Sequence, residues 1–270
     1  MIQGNIWLVL IGLAGLLLTI TGCGGDSDDT GVPDIYQDWD MATHGNVKVF
    51  YPSYHVLANQ MTESARLYGR QVATSCRVLQ IPIPAETLVV YHYTGFGQGR
   101  EMTGREYPFA EDSVIHFWTP SHRGTTVMHY LLPKWIDKEP TYEFLKHGLY
   151  VLLDASGKNY HSLTMNRVND GSFIPLVELA ADTTVDSNLE LHQSAEAASF
   201  VDFMLFSYGV RGLAFLYRAE SDFAITVEGL MGLKADSLQA EWLDFADKAA
   251  RGELPAQKQL QKQLDSVGAQ

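Results

Sequence analysis

Residues 127–153 read VMHYLLPKWIDKEPTYEFLKHGLYVLL, and the fold is decided by how this stretch is parsed. Apolar residues three and four apart predict one helix from Gly124 to Leu132 and another from Tyr142 to Asp154. Pro133, which has no amide hydrogen to give, is expected to end the first. Each helix carries one histidine, His129 and His147, and imidazole is a ready metal ligand. Two histidines that share an ion from a single helix stand four residues apart, so that both project from one face. With His129 as the first of such a pair, Pro133 falls at the second position and offers no ligand. Tyr130 falls where the general base would stand, and a phenol with a pKa of about 10 is a poor base for zinc-bound water. The string H-E-x-x-H occurs nowhere in the chain.

Upstream the pattern is mixed. Asn46–Tyr51, Thr87–Tyr93 and Ser113–Trp118 have the alternation or apolar density of strands. Between the first two, Leu57, Met61, Ala65, Tyr68, Val72, Cys76 and Leu79 form a helical stripe, broken by Ile81-Pro82-Ile83-Pro84. Gly95-Phe96-Gly97-Gln98-Gly99 has too many glycines for a helix and reads as a loop; no Lys-Ser or Lys-Thr follows to make it a phosphate loop. Downstream the pattern turns helical. Residues 155–170 read as a loop and 171–175 as irregular. A long helix is predicted from Glu190 to Tyr208 with Gly209 as its C-cap, then helices over Val210–Ala219, Ser221–Met231 and Ser237–Ala250. The fold class is α+β: a small mixed β-sheet lobe with helices, followed by a mainly α-helical lobe.

The 270 residues, 46% hydrophobic and 11% aromatic, are enough to bury a sizeable core. A formal charge of −13 argues against nucleic acid as a partner, because phosphate contacts need clustered Lys and Arg. Ile6 to Ile20 is almost purely apolar and of signal-peptide length. It runs into Ile20-Thr21-Gly22-Cys23, which looks like a bacterial lipobox, whose cysteine receives a diacylglycerol. The expectation is a signal peptide over 1–22, a flexible acidic tether over 23–37 from lipidated Cys23, a domain over 38–252 and a polar tail over 253–270. The segment before Ile6 has no Lys or Arg, so an uncleaved anchor is the alternative. Both place the domain outside the cytoplasm, on the inner or the outer membrane, facing periplasm or exterior. With Cys23 acylated, Cys76 is left without a disulfide partner; on its apolar stripe it reads as a buried small hydrophobe.

The order of elements, together with two downstream segments, resembles the peptidase MA-like family of gluzincin metallopeptidases. The segments are Ala197-Ala198-Ser199-Phe200-Val201-Asp202-Phe203-Met204 followed by Tyr208-Gly209, and Gly232–Leu238 followed by Glu241-Trp242. The resemblance spans about Asp38 to Arg251 and implies a gluzincin-like fold with its HExxH motif degenerate. His129, Tyr130, Pro133 and His147 then form a relic site, with His147 where the family places a glutamate ligand. Glu143, His192 and Ser194 are expected to line its cleft. No G-x-S-x-G elbow offers a serine nucleophile. The resemblance implies a catalytically inactive binding or scaffold module of the cell envelope, with no resident cofactor and with an envelope protein or peptide as partner. The alternative is an active zinc hydrolase using His129, His147 and a third ligand drawn from elsewhere; His116, His122, His161, His192 and Glu139 are available.

Overall fold

The molecule, a computed structural model, is described for residues 36, 38–119, 121–181 and 191–254, without the side chains of 191–193. The expected signal peptide, Cys23, most of the tether and the tail beyond residue 254 lie outside the described residues. No described helix is long and apolar enough to cross a membrane.

Among the described residues, five strands form one mixed sheet in the order β1-β2-β3-β5-β4. They are β1 (Trp39–His44), β2 (Val47–Pro52), β3 (Leu88–His92), β4 (Phe109–Glu111) and β5 (Val114–Phe117). β1 and β2 make an antiparallel hairpin around Gly45, whose φ of +59° suits glycine. β2, β3 and β5 run parallel, and β4 pairs antiparallel with β5. Parallel neighbours need a crossover, and α1 (Met61–Leu79) supplies the one from β2 to β3. It buries Met61, Ala65, Tyr68, Val72 and Cys76 beneath the sheet, together with Val49, Val90, Ile115 and Phe117. The helix ends as its sequence predicts. Gln80 turns left-handed at φ +54°, and the Ile81 amide returns to the Cys76 carbonyl at 3.0 Å.

The glycine-rich loop is a correction, because residues 96–103 form helix α2 (Phe96–Thr103). Gln98 reaches back so that its Oε1 accepts from the Thr94 amide at 2.8 Å, satisfying the entry to the helix. A Cβ on Gly99 would lie 2.5 Å from the Trp118 ring, so glycine is what lets the helix rest there. A second correction concerns residues 155–170, of which Tyr160–Asp170 form helix α5. Its start is fixed by Asn159, whose side chain accepts from the Ser162 amide at 3.0 Å.

The helical lobe is built from α3 (Arg123–Trp135), α4 (Glu143–Leu152), α5, α6 (Leu176–Ala181), α7 (Leu191–Ser207), α8 (Gly209–Arg218), α9 (Phe223–Met231) and α10 (Ala235–Ala250). Pro133 does not end α3. The helix passes through it to Trp135, with the Ile136 amide still bonded to the Leu132 carbonyl at 2.9 Å. Having no N–H, Pro133 leaves the His129 carbonyl without its amide from four residues on, a loss confined to the last turn of α3. Gly209 has the left-handed φ of +69° expected of a C-cap, and α8 starts at once from it.

α4 is the centre of this lobe. Phe144, Leu145, Gly148, Leu149 and Leu152 are buried along it. A Cβ on Gly148 would stand 2.5 Å from the Ala197 carbonyl oxygen of α7, and one on Gly124 would stand 2.0 Å from the Leu153 carbonyl oxygen. Glycine therefore sets the closest approach on both flanks of α4. Two hydrophobic clusters result, one between the sheet and α1, the other among α4, α7, α8, α9 and α10. α3 belongs to both: Val127, Tyr130 and Leu131 enter the first, while Met128 and Leu132 enter the second. From Asp38 onward the described residues pack as one compact unit. The α+β class read from the sequence is the class of the structure.

Candidate functional site

α3 and α4 bring His129 and His147 onto one side chain. The His129 ring lies 4.4 Å from the Tyr150 ring, and the His147 ring lies 5.9 Å from the same ring, edge on. One turn before His129, the Thr125 hydroxyl donates to the Tyr150 carbonyl at 3.5 Å, so Thr125 and His129 share the face of α3 that meets α4. Burial holds the His129 imidazole down to about 4, with His147 and the Lys146 ammonium adding to the effect. Burial also pushes the Tyr150 hydroxyl up, and Glu139 and Glu143 push it further. At pH 7 a neutral His129 stands beside an un-ionised phenol.

Tyr130 and Pro133 are not part of this arrangement. A one-residue step turns a helix by about 100°, so Tyr130 faces away from His129 into the sheet cluster. Its hydroxyl donates to Glu86 Oε1 at 3.0 Å, and Lys134 joins the same carboxylate at 2.6 Å with its ammonium 4.7 Å from the Tyr130 ring. Burial and that carboxylate raise the Tyr130 pKa. Pro133 is exposed. Of the cleft residues, Glu143 is held by Lys146 at 2.9 Å, which Glu139 also meets at 2.7 Å. Ser194 lies half-buried at the start of α7. His192 lies in the first turn of α7, and its side chain is outside the description.

A catalytic zinc takes three protein ligands and keeps one position open. Among the described residues, no three His, Cys, Asp or Glu side chains converge in that way. His129 and His147 with Tyr150 do not amount to such a donor set.

The remaining histidines are placed elsewhere. His55 and His92 bond each other ring to ring at 3.2 Å, and burial first, then His55, holds His92 down to about 3. His116 takes the Tyr93 hydroxyl at 2.7 Å and stacks on Phe109 at 4.5 Å; burial lowers its pKa to about 4. His122 is exposed ahead of α3. Cys76 is fully buried, and burial raises its thiol to about 11, as its apolar stripe suggested.

Sequence reasoning missed one constellation. His161 on α5 contacts the Ser199 hydroxyl through Nδ1 at 2.9 Å and the Asp202 carboxylate through Nε2 at 2.8 Å. Trp242 of α10 donates its indole N–H to the same Ser199 oxygen at 3.0 Å. The residue types are those of a hydrolytic triad, but Ser199 is 0% exposed and sealed under Trp242, so no substrate carbonyl reaches it. The array is a polar brace joining α5, α7 and α10. Its only sequence signal was Ser199 and Asp202 three apart on one helix face, because His161 fell in a segment read as loop. Beside it, a cavity of about 340 Å³ is lined by Lys158, Tyr160, His161, Asp202 and Arg251.

No family model, curated protein or solved structure matches the chain.

Proposed function

We propose that the chain is a lipid-anchored lipoprotein facing the periplasm or exterior, whose peptidase MA-like domain is a pseudopeptidase serving as a binding or scaffold module of the cell envelope. One observation carries the loss of catalysis. His129 and His147 meet over Tyr150, whereas Tyr130, at the base position in the relic motif, is turned into the sheet cluster and bonded to Glu86. A hydrolase of this type needs a base within reach of metal-bound water, and a phenol held against a carboxylate is neither basic enough nor in position. What remains at the α3–α4 face is the aromatic contact of His129 and His147 with Tyr150, without a base to drive hydrolysis. The partner fitting such a module is an envelope protein or peptide.

The test is the zinc content and peptide hydrolysis of the purified full chain after mild dialysis, compared with a His129→Ala, His147→Ala variant. The expected result is no hydrolysis, and a zinc content that the double substitution leaves unchanged. One zinc per chain that vanishes in the variant, together with hydrolysis that vanishes with it, would establish the active zinc hydrolase instead. Anchoring is tested separately: Cys23→Ala is expected to abolish acylation and release the chain from membranes.

A further inference from the structure

A cavity of about 680 Å³ lies between α8 and α9, lined by none of the paired-histidine residues. That is within the range of ligand sites and large for a gap between two surface helices. Ala214, Phe215, Ile225 and Gly229 line it, together with Arg211 and Arg218. Phe215 is 52% exposed and Ile225 65%, so both apolar side chains face water in the chain as it stands. The two arginines are seven residues apart on α8, hence about 10 Å along its axis, on one face with Ala214 and Phe215 between them.

Charge sets this groove apart from the rest of the surface. The chain has 32 acidic and 19 basic residues, and its arginines are commonly taken up by carboxylates: Arg66 by Glu63, Arg100 by Glu106, Arg167 by Glu196, Arg251 by Asp247 and Glu253. Arg211 and Arg218 have no ion-pair or hydrogen-bond partner for their guanidinium groups among the described residues. Glu220, the carboxylate nearest to Arg218 in sequence, is engaged by Lys138. An acidic protein thus keeps two unpaired cations, seven residues apart on α8, lining an open and largely apolar groove.

We infer that this groove docks an acidic amphipathic helix of a partner protein, with two carboxylates seven residues apart on Arg211 and Arg218 and apolar side chains between them against Phe215 and Ile225. A helix laid along α8 and α9 repeats the spacing of the groove, because anchors at the first, fourth, fifth and eighth positions share one face. The two arginines leave α8 about 10 Å apart along its axis, a spacing that carboxylates seven residues apart on a partner helix repeat. The inference is independent of whether His129 and His147 hold anything.

Gly229 provides the means of testing it. A Cβ there meets nothing within 4 Å, so a large side chain fills the groove without displacing the fold. The probe is a fluorescein-labelled synthetic helix of Ala and Gln with two Glu seven apart and Leu and Phe at the fourth and fifth positions. The control has Lys in place of both Glu. Fluorescence anisotropy with the full chain is expected to show saturable binding of the Glu probe and none of the Lys control. Arg211→Glu with Arg218→Glu should weaken binding by roughly tenfold or more, and Gly229→Trp should abolish it, with circular dichroism unchanged in both. No binding of the Glu probe, equal binding of the Lys control, or binding that both variants retain overturns the proposal. If the arginine variant instead loses recovery on phosphatidylglycerol vesicles while probe binding does not move, the face is a lipid contact and the peptide reading falls.

Discussion

His129 and Tyr130 are adjacent in sequence and belong to different chemistry. His129 rests on Tyr150 of α4, while Tyr130 is bonded to Glu86 just ahead of β3. Tyr130→Phe therefore removes one half-exposed hydrogen bond and should lower stability by about 1 kcal/mol in urea unfolding, leaving the His129–Tyr150 contact as it is. A larger loss accompanied by altered aromatic signals from Tyr150 would show the two faces of α3 to be coupled. Ser199 is a contrasting case, since its hydroxyl is shared by His161 and the Trp242 indole and is 0% exposed. Ser199→Ala strands two buried polar groups and should lower stability by about 2–4 kcal/mol, whereas a catalytic serine would tolerate removal with little loss. Thermal melts of the two variants side by side decide which role the brace has. At this scale the sequence was informative about Cys76, whose stripe announced burial, and silent about Ser199, whose partners come from segments 38 and 43 residues away.

Helices with three-to-four apolar spacing, such as α1, α4 and α10, were legible because one continuous face of each is buried. β1 and β4 were not, since WDMATH and FAE carry little alternation of their own and are held by pairing to β2 and β5. α2 was hidden by the glycines that permit its contact with Trp118, and α5 by a polar sequence whose start is marked by Asn159 alone. The relic motif was legible only in part: spacing identified His129 and His147, but which face of α3 each neighbour takes depends on the two clusters it separates. Glycine spacing gives the sharpest prediction for elements. Gly148→Ala must push α4 from the Ala197 carbonyl and should lower stability by about 1–3 kcal/mol or more. Gly97→Ala, in open space on α2, should raise it by up to about 1 kcal/mol. Denaturant midpoints of the pair test this; equal shifts of the same sign would mean that α4 and α7 do not approach as closely as described.

For the molecule as a whole, buried neutral histidines set the response to acid. In the folded chain His92 is held down to about 3 and His129 to about 4, against an ordinary value of 6.5. Above 6.5 both folded and unfolded chains carry these rings neutral, and the stability they permit is fully present. Below it the unfolded chain binds protons that the folded one refuses, so stability is lost as pH falls toward 4 for His129 and toward 3 for His92. Each ring contributes at most about 1.4 kcal/mol per pH unit in that window. Urea midpoints should fall steadily between pH 6.5 and 4, and His129→Gln should flatten the decline; a midpoint independent of pH over this range would contradict the burial of these rings.

α3 supplies side chains to both clusters, with Val127, Tyr130 and Leu131 on the sheet side and Met128 and Leu132 on the helical side. Neither cluster can come apart while α3 stays folded on the other without exposing the apolar residues it gave up. Amide hydrogens in the middle of α3 should therefore exchange with deuterium only through global opening, at one rate with those of β3 and α7, and scanning calorimetry should record a single transition for sheet and helices together.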